Sequence, residues 1–187
     1  MKTILVAAIA AAGVVPSVAS AQNFNGPRIE ARLGYETPAI AENDSDDIYK
    51  IGSAVSYGAE AGYDIRTKRV VVGPYVNYEV SGVKLCDDDI CLAERGNFSA
   101  GARVGLVAGQ RGLVYGKLGY ANITLEARDG GSVIDSASKG GIQSALGYEF
   151  GLGEFYGFVE AAYSHYGKFD DINLERRQVA GGIGIRF

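Results

Sequence analysis

The 187-residue sequence has no tryptophan, one histidine and two cysteines. Each scarcity removes a class of chemistry. A zinc centre needs more Cys or His ligands than Cys86, Cys91 and His165 supply, so neither a metal nor any other cofactor is expected. A nucleophilic triad would have to be built around His165. In an extended segment its same-face neighbours are Tyr163 and Gly167, while Ser164 points to the opposite face. Only a partner from a distant segment could complete such a site, and the reading is that the chain is not an enzyme. Positive charge is also in short supply. Lys and Arg number 18 against 22 Asp and Glu, a formal net charge of −4, which argues against nucleic acid as a partner. Beyond the first segment, no apolar run approaches the ~20 residues of a membrane helix. Any passage through a bilayer would have to be made by strands.

The first segment has its own logic. Lys2 gives a positive start, residues 3–15 an apolar stretch, Pro16 a break, and Ala19-Ser20-Ala21 small residues at the positions read by signal peptidase. Residues 1–21 are read as a signal peptide cleaved before Gln22, too short in its apolar part to span a bilayer. Residues 22–187 then form one domain.

What the chain has in abundance is glycine, 27 residues, with 12 Tyr and 7 Phe. Apolar residues recur with period two in eight segments: 28–37, 51–63, 70–80, 97–108, 113–125, 141–150, 155–166 and 177–187. Pro74 lies on the apolar face of the third and removes one ladder bond. The alternation fades over 122–125, where a bulge is expected. Connections alternate in length. Residues 38–50, 81–96, 126–140 and 167–176 form long polar connections, whereas 64–69, 109–112 and 151–154 are short. The expected fold is a closed antiparallel eight-stranded transmembrane β-barrel, with short turns on the periplasmic side and four long loops outside.

A soluble lipocalin-like barrel shows the same alternation. Glycine separates the two. The polar face carries Gly34, Gly52, Gly58, Gly62, Gly73, Gly101, Gly105, Gly119, Gly147, Gly182 and Gly184. A face bathed in water has no use for them, whereas a narrow eight-stranded lumen needs small residues beside long charged ones. The polar face is therefore expected inside. It carries Arg28, Arg32, Arg103, Lys117 and Arg186 together with Glu30, Glu36, Glu60, Glu79, Glu149 and Glu160. Such charges are tolerable when paired, so they are read as an internal ion-pair network that plugs the barrel. A charged path for small ions or solutes is the alternative. Outward aromatics gather in two belts suited to membrane interfaces. Tyr35, Tyr78, Phe98, Tyr120 and Tyr163 lie toward the long loops, and Tyr63, Tyr148, Phe150 and Phe187 toward the short turns.

Three stretches carry a family resemblance. The ending Val179-Ala180-Gly181-Gly182-Ile183-Gly184-Ile185-Arg186-Phe187 looks like the C-terminal signature of outer-membrane barrels. Glu160-Ala161-Ala162-Tyr163-Ser164-His165-Tyr166-Gly167 resembles a Glu-Tyr-Arg-Tyr-Ser-Asp-Tyr-Gly stretch of opacity-type and OmpA-like small porin-family barrels, with alanines where that pattern has an aromatic and an Arg. Arg103-Val104-Gly105 and Lys117-Leu118-Gly119-Tyr120 resemble the fourth and fifth strands of that barrel domain. The resemblance implies an envelope protein of the Gram-negative outer membrane, variously structural, adhesive or antigenic. It also implies that Val179, Ile183, Ile185 and Phe187 are read by the barrel-assembly machinery after escort by periplasmic chaperones.

The loops offer smaller signals. Cys86 and Cys91 enclose three aspartates, and in an oxidising compartment they are expected to form a small disulfide, with free thiols as the alternative. Glu42, Asp44, Asp46, Asp47, Asp170 and Asp171 follow no calcium-loop spacing and read as solvated acidic loops. Lys50, Lys84, Arg95, Lys139, Lys168, Arg176 and Arg177 are expected at the outer rim, where they could meet lipopolysaccharide phosphates. The sequence thus reads as a structural or surface-interaction barrel touching outer-membrane lipid, with loops available to an extracellular ligand.

Overall fold

The structure, a computed structural model, describes residues 24–42, 48–50, 53–87, 90–129, 132–169 and 172–187. The expected signal peptide, Gly52 and the acidic residues Asp44, Asp46, Asp47, Asp88, Asp89, Asp170 and Asp171 lie outside them.

Among the described residues ten strands form one sheet: β1 (Gly26–Glu42), β2 (Ile48–Lys50), β3 (Ala54–Thr67), β4 (Val70–Ser81), β5 (Lys84–Asp87), β6 (Ile90–Ala108), β7 (Gly112–Asp129), β8 (Ser132–Leu152), β9 (Phe155–Phe169) and β10 (Ile172–Arg186). Strands β2 and β5 are short additions at one rim. The other eight pair each with the next, all antiparallel, and β10 returns to β1 with partners from Arg28↔Arg186 to Glu42↔Ile172. This closes the barrel and removes every free edge from the span, the condition for strands to cross lipid without orphaned backbone groups.

Period-two patterning decides which face is which. Along β3 the buried positions Ser56, Glu60 and Asp64 alternate with exposed Val55, Tyr57, Tyr63 and Ile65. The outer wall exposes Leu146 at 72%, Ile142 at 65% and Leu118 at 64%, while the buried set is rich in charge. This inverts the rule for soluble proteins and matches a barrel whose outside solvent is lipid. A lipid-facing trough lies between Leu118, Leu146 and Val179, floored by the small residues Ala102, Gly116 and Ala161.

Short hairpins close one end. Gly109 (φ 69°) and Gly153 (φ 87°) take the left-handed conformation in two of them, and Lys68 (φ 59°) does so in the third.

Two expectations need correction. Much of the expected long loops is strand: β1, β6, β7, β8, β9 and β10 all continue past the outer aromatic belt. Out there both faces meet water, so hydropathy no longer alternates even though the ladder does. The irregularity expected over 122–125 lies in neighbouring strands. The extra residue opposite Thr124–Leu125 is Arg95 of β6, and a second register shift falls in the pairing of β7 Ala127 and Arg128 with β8. Pro74 sits outward, opposite Ala102, on the apolar face as expected, and the β3–β4 ladder skips Gly73 and Pro74 while β4 itself continues.

Candidate functional site

The lumen holds the densest polar chemistry of the molecule. Its lower and middle levels contain five cations and five carboxylates. Arg28 reaches Glu30 (2.5 Å), Glu60 (2.7 Å) and Asp64 (3.4 Å). Arg32 lies within 3.3 Å of Glu30, Glu60, Glu79 and Glu160. Arg103 pairs with Glu149 (2.5 Å), and Lys117 bridges Glu60 and Glu160, both at 2.7 Å. Arg186 joins Asp64 and Glu149, both at 2.8 Å.

Aromatic rings fill the space between these groups. Tyr115 stacks on Arg103 (4.1 Å) and donates to Glu160 (3.0 Å). Tyr156 stacks on Arg186 (4.7 Å) and donates to Glu30 (3.0 Å), and Phe158 lies 4.9 Å from the Arg32 guanidinium. Inward glycines seat these rings. A Cβ at Gly147 would lie 2.3 Å from the Tyr115 ring, and one at Gly184 the same distance from Tyr156. We therefore expect Gly147→Ala to cost about 1–3 kcal/mol in a urea-unfolding titration. Adding Tyr115→Leu should recover part of that loss; no recovery would mean that the glycine serves some other purpose.

Apolar clusters bracket the charged zone. At the short-turn end Phe24, Val71 and Leu113 pack together inside the lumen, with Phe24 fully buried beneath Arg186 (5.5 Å). Toward the projecting end Ala121, Ile123, Tyr166 and Leu174 form a second cluster.

Between that cluster and the central network lies an upper polar level. Arg176 bonds Glu36 and, at 2.9 Å, Glu79. Gln178 donates to Ser56 and Glu79, both at 2.7 Å. Glu94 is 5% exposed and lies beside the Glu36 carboxylate, with no basic side chain bonded to either of its oxygens among the described residues.

All eleven charged residues read from the sequence as internal lie in the lumen. The nine aromatics read as belts all point outward and are exposed. Among the apolar ending residues, Val179, Ile183 and Phe187 are exposed on the lipid-facing wall, and Ile185 pairs with Ile29 and Phe155 across the barrel seam. Cys86 and Cys91 sit directly opposite each other in the β5–β6 hairpin and are bonded (S–S 2.04 Å).

Of the rim cations, Lys84 is exposed, Arg95 bonds Glu126 (2.7 Å) and Arg177 lies 3.5 Å from Glu175. Arg176 must be withdrawn from that set. Its neighbour Arg177 points out, so Arg176 points in, is 2% exposed and completes the upper network. The sequence reading also missed Asp64, Glu94 and the interior rings of Tyr75, Tyr115, Tyr156, Phe158 and Tyr166. His165 lies on the outer face, 3.9 Å from Glu175, with Ser164 buried on the other side. Among the described residues no three His, Cys, Asp or Glu side chains converge as a metal cage.

The family model for the outer membrane protein beta-barrel domain matches residues 4–187. The chain belongs to this family. Solved structures of the same shape include Ail of Yersinia pestis in complex with the heparin analogue sucrose octasulfate (TM-score 0.55, 16% identity, 86% of this chain and 99% of that one). Neisserial surface protein A is similar as well (TM-score 0.61, 14% identity, 85% and 97%), as is OprG of Pseudomonas aeruginosa (TM-score 0.50, 11% identity, 87% and 96%). At these identities the likeness is one of fold. No curated protein sequence matches the chain significantly. The family and the inverted barrel together make this a Gram-negative outer-membrane β-barrel protein, with strands crossing the membrane and the apolar wall in lipid.

Proposed function

We propose that this barrel is a structural, surface-interacting protein of the outer membrane, with a plugged lumen and its working surface on the projecting strand ends. The observation that carries this reading is the filling of the lumen: ion pairs and stacked rings at mid-height, with apolar side chains at either end. An ion crossing it would have to part pairs that are not solvated and pass two apolar constrictions. By contrast, the strands run well beyond the aromatic belt, and the disulfide-linked hairpin stiffens one projection.

The rim cations Lys84, Arg95 and Arg177 suit the phosphates of lipopolysaccharide, and the sulfated ligand bound to Ail supports a family role in outside contacts. Val179, Ile183, Ile185 and Phe187 serve as the assembly signal read by the insertion machinery, with chaperone escort after removal of residues 1–21. No catalytic step is assigned.

The competing reading is a narrow diffusion channel for small solutes or ions, favoured by the charge that runs through the lumen. Planar-bilayer recording separates the two. The refolded protein, with heat-dependent gel mobility confirming the barrel, should give no discrete conductance steps. Reproducible steps altered by Glu60→Gln or Arg103→Gln would establish the channel and end the plug reading.

A further inference from the structure

The register shift in β6 also shapes the outer wall. Glu94 pairs with Leu125 and Gly96 with Thr124, so Arg95 is the extra residue between them, and its side chain is exposed. Beside it Gly96 leaves the wall bare, and a Cβ there would lie 2.7 Å from the Tyr78 hydroxyl. The result is a cleft of about 140 Å³ lined by Tyr78, Arg95, Gly96, Phe98, Asn122 and Thr124. Its two rings, Tyr78 and Phe98, sit directly opposite each other on β4 and β6 and belong to the outer aromatic belt. The cleft therefore opens at the height where lipid headgroups lie.

The Arg95 guanidinium is held in place without losing its charge. Its Nη1 donates to one oxygen of Glu126 (2.7 Å), and Nη2 of Arg128 donates to the other (2.9 Å). Within this trio two guanidinia share one carboxylate, so Glu126 fixes Arg95 but does not cancel it. The groups below Arg95 are neutral. Thr124 Oγ1 shares a hydrogen bond with Ser138 (3.0 Å), and a hydroxyl has capacity for another. The Asn122 amide has no side-chain partner among the described residues. Along β6 and β7 the cleft thus presents a cation, then neutral donors and acceptors, then aromatic faces.

We propose that this cleft seats one phosphorylated sugar of the lipopolysaccharide headgroup, with its phosphate on Arg95, its hydroxyls on Asn122 and Thr124, and its ring against Tyr78 and Phe98. The inference rests on the reading that rim cations meet lipopolysaccharide, and it gives one such contact a built site. A planar guanidinium pinned at one nitrogen keeps N–H groups for a phosphate, in a geometry that a mobile ammonium lacks. An amide and a hydroxyl beside two ring faces suit a sugar, which carries hydroxyls at its edge and C–H groups on its faces. A glycerophospholipid head offers the phosphate but no ring to fill the space between Tyr78 and Asn122. None of this depends on whether the lumen conducts.

Native mass spectrometry of the refolded barrel in detergent micelles, titrated with diphosphoryl lipid A, tests the site. Heat-dependent gel mobility first confirms that each variant has folded. The wild type should take up a first lipid saturably. Arg95→Gln should weaken that step about tenfold and Thr124→Val about threefold, the losses expected for a charged and a neutral hydrogen bond. Arg111→Gln, at the short-turn end, should leave it unchanged. Binding lost in Lys84→Gln/Arg177→Gln but kept in Arg95→Gln would leave lipopolysaccharide contact standing and overturn the cleft as its seat. No saturable binding by the wild type would overturn the lipopolysaccharide reading and the cleft together. Equal binding of dephosphorylated lipid A, or of phosphatidylglycerol, would overturn the phosphorylated sugar as the ligand. Displacement of the lipid by an equal concentration of glucosamine 1-phosphate would mean that a soluble sugar phosphate suffices, and would overturn the membrane lipid as its source.

Discussion

Replacing Arg32 with Met is expected to destabilise the folded barrel by about 3–5 kcal/mol. Arg32 is 4% exposed and lies within 3.3 Å of four carboxylates on four strands: β1, β3, β4 and β9. Methionine fills the volume of the stem but removes the charge that makes those carboxylates tolerable. Each must then find a proton, water or a new cation in a lumen already packed with rings, and leaving charges uncompensated costs more than the pairs themselves contribute. A urea titration read by heat-dependent gel mobility measures the loss. Arg177→Met is the control. That side chain is 58% exposed and 3.5 Å from Glu175, so its removal should change stability by less than ~1 kcal/mol. Equal effects at the two positions would mean that the lumen is wet enough to screen its charges, which would weaken the plug.

The second large effect lies on the other face. Leu146→Arg should cost about 2–4 kcal/mol, because it places a guanidinium at mid-height in the lipid-facing wall. Leu146 is 72% exposed, two outward positions above the Phe150 ring, and pairs with Ala161 and Gly116. The same change at Leu152, beside the short turn, should cost no more than ~1 kcal/mol, since there the charge reaches headgroups and water. A soluble barrel would show neither the cost nor its dependence on depth. Folding into vesicles under increasing urea gives both numbers.

How far the sequence reveals this arrangement follows from where alternation survives. Between the aromatic belts one face meets lipid and the other a polar lumen, so parity assigns each residue, and Arg28, Glu60, Arg103 and Glu160 can all be placed by counting. Asp64 and Arg176 obey the same parity. Asp64 continues the inward series Glu60 and Gly62, and Arg176 extends the series Ala180 and Gln178. Both are obscured because their stretches are polar on both sides and read as turn and loop. Glu94 is a different case. Counting outward from Ser99 and Asn97 puts Arg95 inside, but the extra residue at Arg95 shifts the parity and turns Glu94 inward instead. A bulge is not written in hydropathy, so this residue becomes visible only in the register. The interior tyrosines hide for yet another reason. Tyr115 and Tyr156 occupy inward positions, but an aromatic suits lipid and lumen equally well, and composition cannot say which.

The absence of tryptophan allows the most direct test of the inverted barrel, because a single introduced indole is the only one in the chain. Leu146→Trp, folded into vesicles, should emit at short wavelength, be quenched strongly by lipids brominated at mid-chain, and be shielded from aqueous iodide. An indole that ignores the brominated lipid and is quenched by iodide would place this wall in water and contradict the membrane barrel.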